Sequence, residues 1–343
     1  MAVSVALVGA GNVARVHLAA LKDSPAARVA GIFDADRNRA EERAAEFGVP
    51  RVYASWHDLL ADPTIDVVGV LLPHDLHREF TVAALDAGKH VVCEKPMAAD
   101  VVECDAMLEA ARRANRRLFV VQNRIYNHAY EAMRDLLLQE AIGTVFLAQT
   151  NGFEGPSTVS VRPWLGTERR GGGVLMAQAV HPAYALRWLL GDVAEVVSIF
   201  GGRKVVDMAA EDTAVVLLKF VSGAIGEMTA TFGLRNGPFD HAIMIYGDQG
   251  SLEMTMRGGD RAHPDRLRLI SPKVNGDSQP RDVVVPPTMG SAEGFRRMWE
   301  DYAQAIETGG LARVEGTDGR KAVEIILAAH QSQETGRVVK LSQ

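Results

Sequence analysis

Two residues in this chain could polarise or protonate a substrate oxygen from places where a fold would hold them. Lys95 lies in His90-Val91-Val92-Cys93-Glu94-Lys95-Pro96, at the end of a short apolar run. If that run is a central strand of a parallel sheet, the ammonium stands at its carboxyl end, the edge where doubly wound sheets bind ligands. A lysine there can donate to a substrate oxygen while charged, and partial burial would bring its pKa toward acid-base use. His181 follows Gly171-Gly172-Gly173 on a helical stretch that runs to Asp192. Its imidazole can exchange a proton near neutral pH. Helical spacing puts Ala177, His181, Tyr184 and Trp188 near one face. Each candidate has a plainer alternative: Lys95 as a surface lysine at a strand end, His181 as a core histidine bonded to backbone.

A nucleotide-binding signature precedes both. Gly9-Ala10-Gly11-Asn12-Val13-Ala14 is a G-x-G-x-x-A directly after an apolar run and at the opening of a helical pattern. Gly9 permits a tight turn, Gly11 lets backbone approach a pyrophosphate, and Ala14 allows close packing of helix on strand. The N–H groups of Asn12 and Val13 belong to a helix start that favours an anion. Asp34 lies 20 residues beyond Ala14, at the end of the second apolar run. There a carboxylate can accept both adenosine ribose hydroxyls, so NAD is expected in preference to NADP. Arg37 and Arg39 could partly offset a 2′-phosphate, or pair with Glu41 and Glu42 on the helix surface.

These residues need a framework. VSVALVG, then Asn12 to Ser24, then VAGIFD, then a helix capped by Asp36 and stopped at Gly48 read as strand, helix, strand, helix. Asp66 to Pro73, His90 to Pro96 and Arg117 to Asn123 supply three more buried strands, with helices at Leu76 to Ala87 and Asp100 to Asn115 between them. The predicted fold class is therefore α/β, beginning with a doubly wound parallel sheet over residues 1–123. From 124 to 343 the rhythm changes to a helix near Ala129 to Gln139 and then long β segments. Hairpins turn at Ser222-Gly223 and at Asp248-Gln249-Gly250, a strand runs from Arg266 to Ile270, and helices run from Ser291 to Thr308 and Thr317 to Thr335. This predicts a second domain with a large, open, mostly antiparallel sheet.

Composition narrows the function. The 343 residues carry a formal charge of −6, shared evenly about residue 123, and 47% are hydrophobic. Neither part has the basic surface of a nucleic-acid binder. Cys93 and Cys104 are the only cysteines, too few for a disulfide framework, and no metal-ligand spacing occurs. No apolar run reaches the length of a membrane-spanning helix, and the first residues read as a strand and not as a signal peptide. A cytoplasmic protein without metal or membrane partner is expected.

Together, the G-x-G-x-x-A, the Glu94-Lys95-Pro96 triplet and the three-glycine helix with His181 resemble the Gfo/Idh/MocA family, relatives of glucose-fructose oxidoreductase and inositol dehydrogenase. The resemblance spans essentially the whole chain. It implies a Rossmann domain, a nicotinamide cofactor in a cleft, a sugar or polyol-like substrate, a homodimer or homotetramer, and Lys95 with His181 as the catalytic pair. It also implies a cis peptide bond before Pro96. Pro73-His74-Asp75-Leu76-His77 is similar to the family's Pro-Asn-x-x-His turn, so Pro73, His74 and His77 join Glu94 and Gln122 on the cofactor side, although His77 also suits capping or packing of the next helix. Gln122, Asn123, Arg124 and Tyr126 fall where the family lines its cleft, although Arg124 also suits an interdomain salt bridge, and Gln178 and Tyr184 lie beside His181. Arg162 and Trp164 offer a donor and a stacking face for a sugar, or anchor their loop.

One departure stands out. Many relatives carry an Asp four residues before the helix histidine and another three after it; here those positions are Ala177 and Tyr184. The expected activity is hydride transfer between nicotinamide and a secondary alcohol or ketone. Two alternatives stay open: an enzyme whose bound NAD is recycled during sugar elimination or glycoside cleavage, and an inactive NAD(H)- or sugar-binding regulator.

Overall fold

Strand β1 (Val3–Val8) is buried at every residue, as a strand covered on both faces must be. The alternation continues through α1 (Asn12–Lys22), β2 (Ala27–Phe33), α2 (Arg37–Phe47), α3 (Trp56–Ala61), β3 (Val67–Val70), α4 (His77–Asp86), β4 (His90–Cys93), α5 (Val101–Ala114) and β5 (Leu118–Val120). These five strands form a parallel sheet in the order β2-β1-β3-β4-β5. The chain leaves β1 toward one side and returns to β3 on the other, so the turn after β1 stands at the switch point where such sheets open a crevice.

The helices begin and end where their caps dictate. Asp36 accepts the Arg39 N–H at 3.3 Å and Asp100 the Glu103 N–H at 2.8 Å, while Gly48 and Asn115 close α2 and α5 in the left-handed conformation. Helix α3 has only six residues, too few to show a periodicity, and starts on a Ser55 cap.

The chain is described by a computed structural model at residues 2–161, 163–167, 172–201, 204–235, 241–256, 265–286 and 291–342, without the side chains of 161, 163, 164 and 291. Beyond β5 come α6 (His128–Leu138), β6 (Val145–Phe153), α7 (Ser157–Val161), a π-helical stretch (Leu175–Ala179) and α8 (Val180–Leu190). Strands β7 (Val193–Phe200), β8 (Thr213–Phe220), β9 (Ile225–Thr231), β10 (His241–Gly247), β11 (Gly250–Met256) and β12 (Arg266–Ile270) follow. Then come α9 (Pro272–Asn275), β13 (Arg281–Val283), α10 (Ser291–Thr308), α11 (Gly316–Thr335) and β14 (Val339–Lys340).

The second sheet has nine strands in the order β13-β12-β11-β10-β6-β9-β8-β7-β14 and is antiparallel except between β6 and β9. Along β8 the period-two pattern buries Ala214, Val216, Leu218 and Phe220 and leaves Val215 and Leu217 exposed.

Contacts divide the chain into Met1–Asn123 with Ser291–Arg320, and Arg124–Gly290 with Lys321–Gln343. Residues 291–320, assigned by chain order to the C-terminal domain, thus pack in the first unit. The reason lies in the apolar face of α10: Tyr302 stacks on Phe119 at 4.5 Å and donates to the Val120 carbonyl at 2.8 Å, and Trp299 is 1% exposed beside α1. No described helix is long and apolar enough to cross a membrane.

Candidate active site

The turn after β1 is built around two glycines with different reasons. Gly9 has φ +99°, and a Cβ there would lie 2.3 Å from the Leu71 carbonyl oxygen, so the position accepts no side chain. Gly11 has the opposite setting: a Cβ would meet nothing within 4 Å. Gly11 caps α1 without a side-chain acceptor, so the first N–H groups of the helix, from Asn12 and Val13 onward, lack the side-chain partner that a Ser or Asp cap supplies. Ala14 is fully buried. With no atom where a Gly11 side chain would stand, an anion such as a pyrophosphate can approach the N–H groups of this helix start.

Asp34 fastens this turn. Its Oδ2 accepts the Ala10 N–H at 2.7 Å and its Oδ1 the Asp36 N–H at 2.8 Å. Each carboxylate oxygen keeps a further lone pair for a hydroxyl. Arg39 stands 3.8 Å from Asp34 and 3.4 Å from Asp36 with half its side chain in solvent.

The remaining expected cofactor residues of the first unit leave the sheet on the same edge. The ladder continues past each strand through Leu71 N–H to Val8 O, Glu94 N–H to Val70 O and Val121 N–H to Cys93 O. Pro73 and His74, Glu94 and Lys95, and Gln122 therefore follow strand ends that lie side by side with the glycine turn. His74 and Gln122 are buried and Lys95 is half-buried. The Lys95-Pro96 peptide bond is cis, as the resemblance implied.

Two of the residues expected on the cofactor side, His77 and Glu94, make hydrogen bonds within the fold. His77 is fully buried, with Nδ1 2.8 Å from the Pro96 carbonyl and Nε2 2.8 Å from the Leu72 carbonyl. Its ring ties the turn after β3 to the turn after β4. Glu94 turns its carboxylate toward His17 at 2.9 Å and accepts the Lys95 N–H at 3.0 Å.

In the second unit, the helix carrying His181 is anchored from below by Glu211. Gly173 has φ +94°, and a Cβ there would meet the Glu211 carboxylate at 2.2 Å. Glu211 accepts the Val174 N–H on its carbonyl and the Leu175 N–H on its carboxylate, both at 2.9 Å. Over Leu175–Ala179 the backbone bonds are π-type, with Val180 N–H reaching Leu175 O. Pro182 has no N–H with which to continue an α-helical ladder to Gln178. The π turn shifts the phase of Ala177 against His181 relative to a regular α-helix. Ala177, Gln178, His181 and Tyr184 are all buried. Arg162 and Gly171 lie outside the described residues, as does the Trp164 side chain.

Arg124 donates to His241 Nε2 at 3.3 Å, and His241 Nδ1 faces the Asn151 carbonyl at 3.5 Å. Burial pushes the His241 imidazole down to about 3, and the Arg124 charge pushes the same way. Tyr126 is buried in the turn just after Arg124. Among the described residues no three His, Cys, Asp or Glu side chains are grouped to hold a metal ion. His17, Trp299, Glu211 and His241 escaped the sequence reading, since no local motif links them to partners far along the chain.

The family model for the Gfo/Idh/MocA oxidoreductases, NAD-binding Rossmann fold, matches residues 3–122, and the model for their C-terminal alpha/beta domain matches residues 134–341. The chain belongs to the Gfo/Idh/MocA oxidoreductase family. It is 26% identical to a myo-inositol 2-dehydrogenase of Thermotoga maritima, over 99% of this chain and 98% of that one. It is 31% identical to a 1,5-anhydro-D-fructose reductase of Ensifer adhaerens, over 98% and 97%. A levoglucosan dehydrogenase in complex with NADH shares the fold with TM-score 0.91 over the whole of both chains, at 24% identity. This Gfo/Idh/MocA protein is an NAD(P)-dependent oxidoreductase, and its first unit is the NAD-binding one.

The buried neutral imidazole of His241 has a consequence for stability. Its folded pKa lies below the unfolded value of about 6.5, so between those values the unfolded chain binds a proton that the native state refuses. Stability is full above about pH 6.5 and falls as pH drops toward 3, by at most about 1.4 kcal/mol per pH unit from this group. Urea titrations at pH 5 and pH 7 should show a larger loss for wild type than for His241→Gln; equal losses would contradict the assignment.

Proposed function

We propose that this oxidoreductase transfers hydride between NAD and a secondary alcohol or ketone of a sugar or polyol, with Lys95 and His181 handling the proton. The observation that carries this reading is the departure of Lys95 from the same sheet edge as the glycine turn. When bound, the nicotinamide exchanges hydride with the carbinol carbon. The Lys95 ammonium donates to the substrate oxygen and stabilises its anionic character. His181 takes the hydroxyl proton in oxidation and returns it in reduction.

With Ala177 and Tyr184 where many relatives have carboxylates, hydroxyl recognition on the substrate side falls to Gln178, Tyr184, Arg124 and Tyr126, together with Arg162 and Trp164. On the cofactor side, Gly9, Gly11, Asn12, Val13 and Ala14 hold the pyrophosphate. Asp34 accepts the ribose hydroxyls with Arg39 at its flank, and Pro73, His74 and Gln122 lie toward the nicotinamide. Sugar and polyol substrates are supported by the inositol dehydrogenase and anhydrofructose reductase relatives.

A panel of sugars and polyols assayed with NAD and NADP tests this directly. A dehydrogenase forms NADH in step with product, whereas an enzyme that recycles its cofactor makes product without net NADH and a regulator makes none. On the substrate so found, Lys95→Ala should lower turnover by about 1000-fold with NAD affinity preserved; turnover near wild type would remove Lys95 from the mechanism. Asp34→Ala should weaken NAD binding and narrow the preference over NADP, as read by calorimetric titration of both; an unchanged ratio would remove Asp34 from cofactor selection.

The open face of the nine-stranded sheet supports self-association as a homodimer or homotetramer. Ile199 opposes Val215, and Val197 opposes Leu217, with Ile225 one strand further on. Ile199, Val215, Leu217 and Ile225 are all exposed in the single chain, and a second copy would cover them. Sedimentation should give an oligomer for wild type and a smaller species for Val215→Asp/Leu217→Lys; a wild-type monomer would contradict it. A cytoplasmic location is in keeping with Cys93 and Cys104 as buried free thiols.

A further inference from the structure

One buried polar set in the first unit links three distant parts of the chain and ends at Lys95. The Trp299 indole on α10 donates to His17 Nδ1 on α1 at 3.0 Å. His17 Nε2 lies 2.9 Å from Glu94 Oε1, and Glu94 Oε2 accepts the backbone N–H of Lys95 at 3.0 Å. Trp299 is 1% exposed, His17 0% and Glu94 6%, and Phe295 packs edge-on against the imidazole at 4.7 Å.

The indole sets the direction of the whole chain of bonds. An indole nitrogen only donates, so His17 Nδ1 is the acceptor and the proton of the neutral ring sits on Nε2, facing the carboxylate. The other tautomer would set two N–H groups head to head and turn a bare nitrogen lone pair toward Glu94. The carboxylate is thereby gripped on one oxygen by a ring N–H and on the other by the Lys95 amide. Because the ring is neutral, the negative charge of Glu94 is left to face the adjoining ammonium.

We propose that Trp299, His17 and Glu94 form a positioning relay for Lys95, in which the indole fixes the imidazole tautomer, the imidazole fixes the carboxylate, and the carboxylate fixes the Lys95 backbone and balances its charge. The relay rests on the reading of Lys95 as the group that meets the substrate oxygen. A buried network in which every donor and acceptor is matched holds a single geometry, and displacement by about 1 Å at a reacting group can cost up to about 100-fold in rate.

Two measurements on the full chain test it. Long-range 1H–15N spectra at pH 7, with His17 assigned by its loss in His17→Gln, should show a protonated Nε2 and a bare Nδ1; a protonated Nδ1, or protons on both, would overturn the relay without any substrate being needed. On the sugar or polyol that the panel shows to be turned over, Trp299→Phe, Glu94→Gln and His17→Leu should lower kcat by about 10- to 100-fold with KM for NAD unchanged. His17→Gln, which retains a donor toward Glu94, should recover most of the loss. Folded Trp299→Phe and Glu94→Gln proteins with wild-type kcat would refute the relay. Lys95→Ala assayed beside them separates the two claims: if it is inactive while the relay variants are not, only the relay fails, and if it is active the reading of Lys95 itself fails.

Discussion

Parallel pairing of β1, β3, β4 and β5 is the constraint on which the rest depends. Strands that run the same way end at the same edge, so turns widely separated in sequence emerge as neighbours. The glycine turn, the turn at Pro73 and His74, the Glu94-Lys95-Pro96 turn and Gln122 owe their proximity to this and to nothing local. The cross-links then fix each turn against the next: Asp34 holds the Ala10 amide, and His77 joins the carbonyls of Leu72 and Pro96. The edge is thus a rigid frame in which a cofactor and a lysine can be held together.

The second unit solves a different problem. Its helix with His181 begins in a tight glycine passage, and a helix start leaves N–H groups to be satisfied. Glu211 meets this need with both its backbone carbonyl and its carboxylate, at a spot where any side chain on Gly173 would collide. Pro182 and the π stretch then set the phase of the helix face. The imidazole is positioned by backbone geometry that a substitution several residues away would disturb.

Much of the first unit was legible because its signals are local. Buried runs, the Asp36 cap and the left-handed stop at Gly48 lie within a few residues of the structure they specify. The glycine turn and the hairpins at residues 222–223 and 248–250 were readable for the same reason. What stayed hidden is non-local. That α10 joins the first unit depends on Trp299 and Tyr302 meeting α1 and β5, and an amphipathic helix does not name its partner. His77 carries the spacing of a family motif, yet its pairing with two carbonyls shows only in three dimensions. The π turn before His181 has no local signal beyond Pro182, whose missing N–H removes one α-helical bond.

The decisive measurement is a crystal structure of the protein grown with NAD+. The pyrophosphate should lie on the N–H groups at the start of α1, the adenosine ribose on Asp34, and the nicotinamide on the side of Lys95. A dinucleotide bound away from the carboxyl edge of the five-stranded sheet, or a nicotinamide remote from Lys95, would contradict this placement.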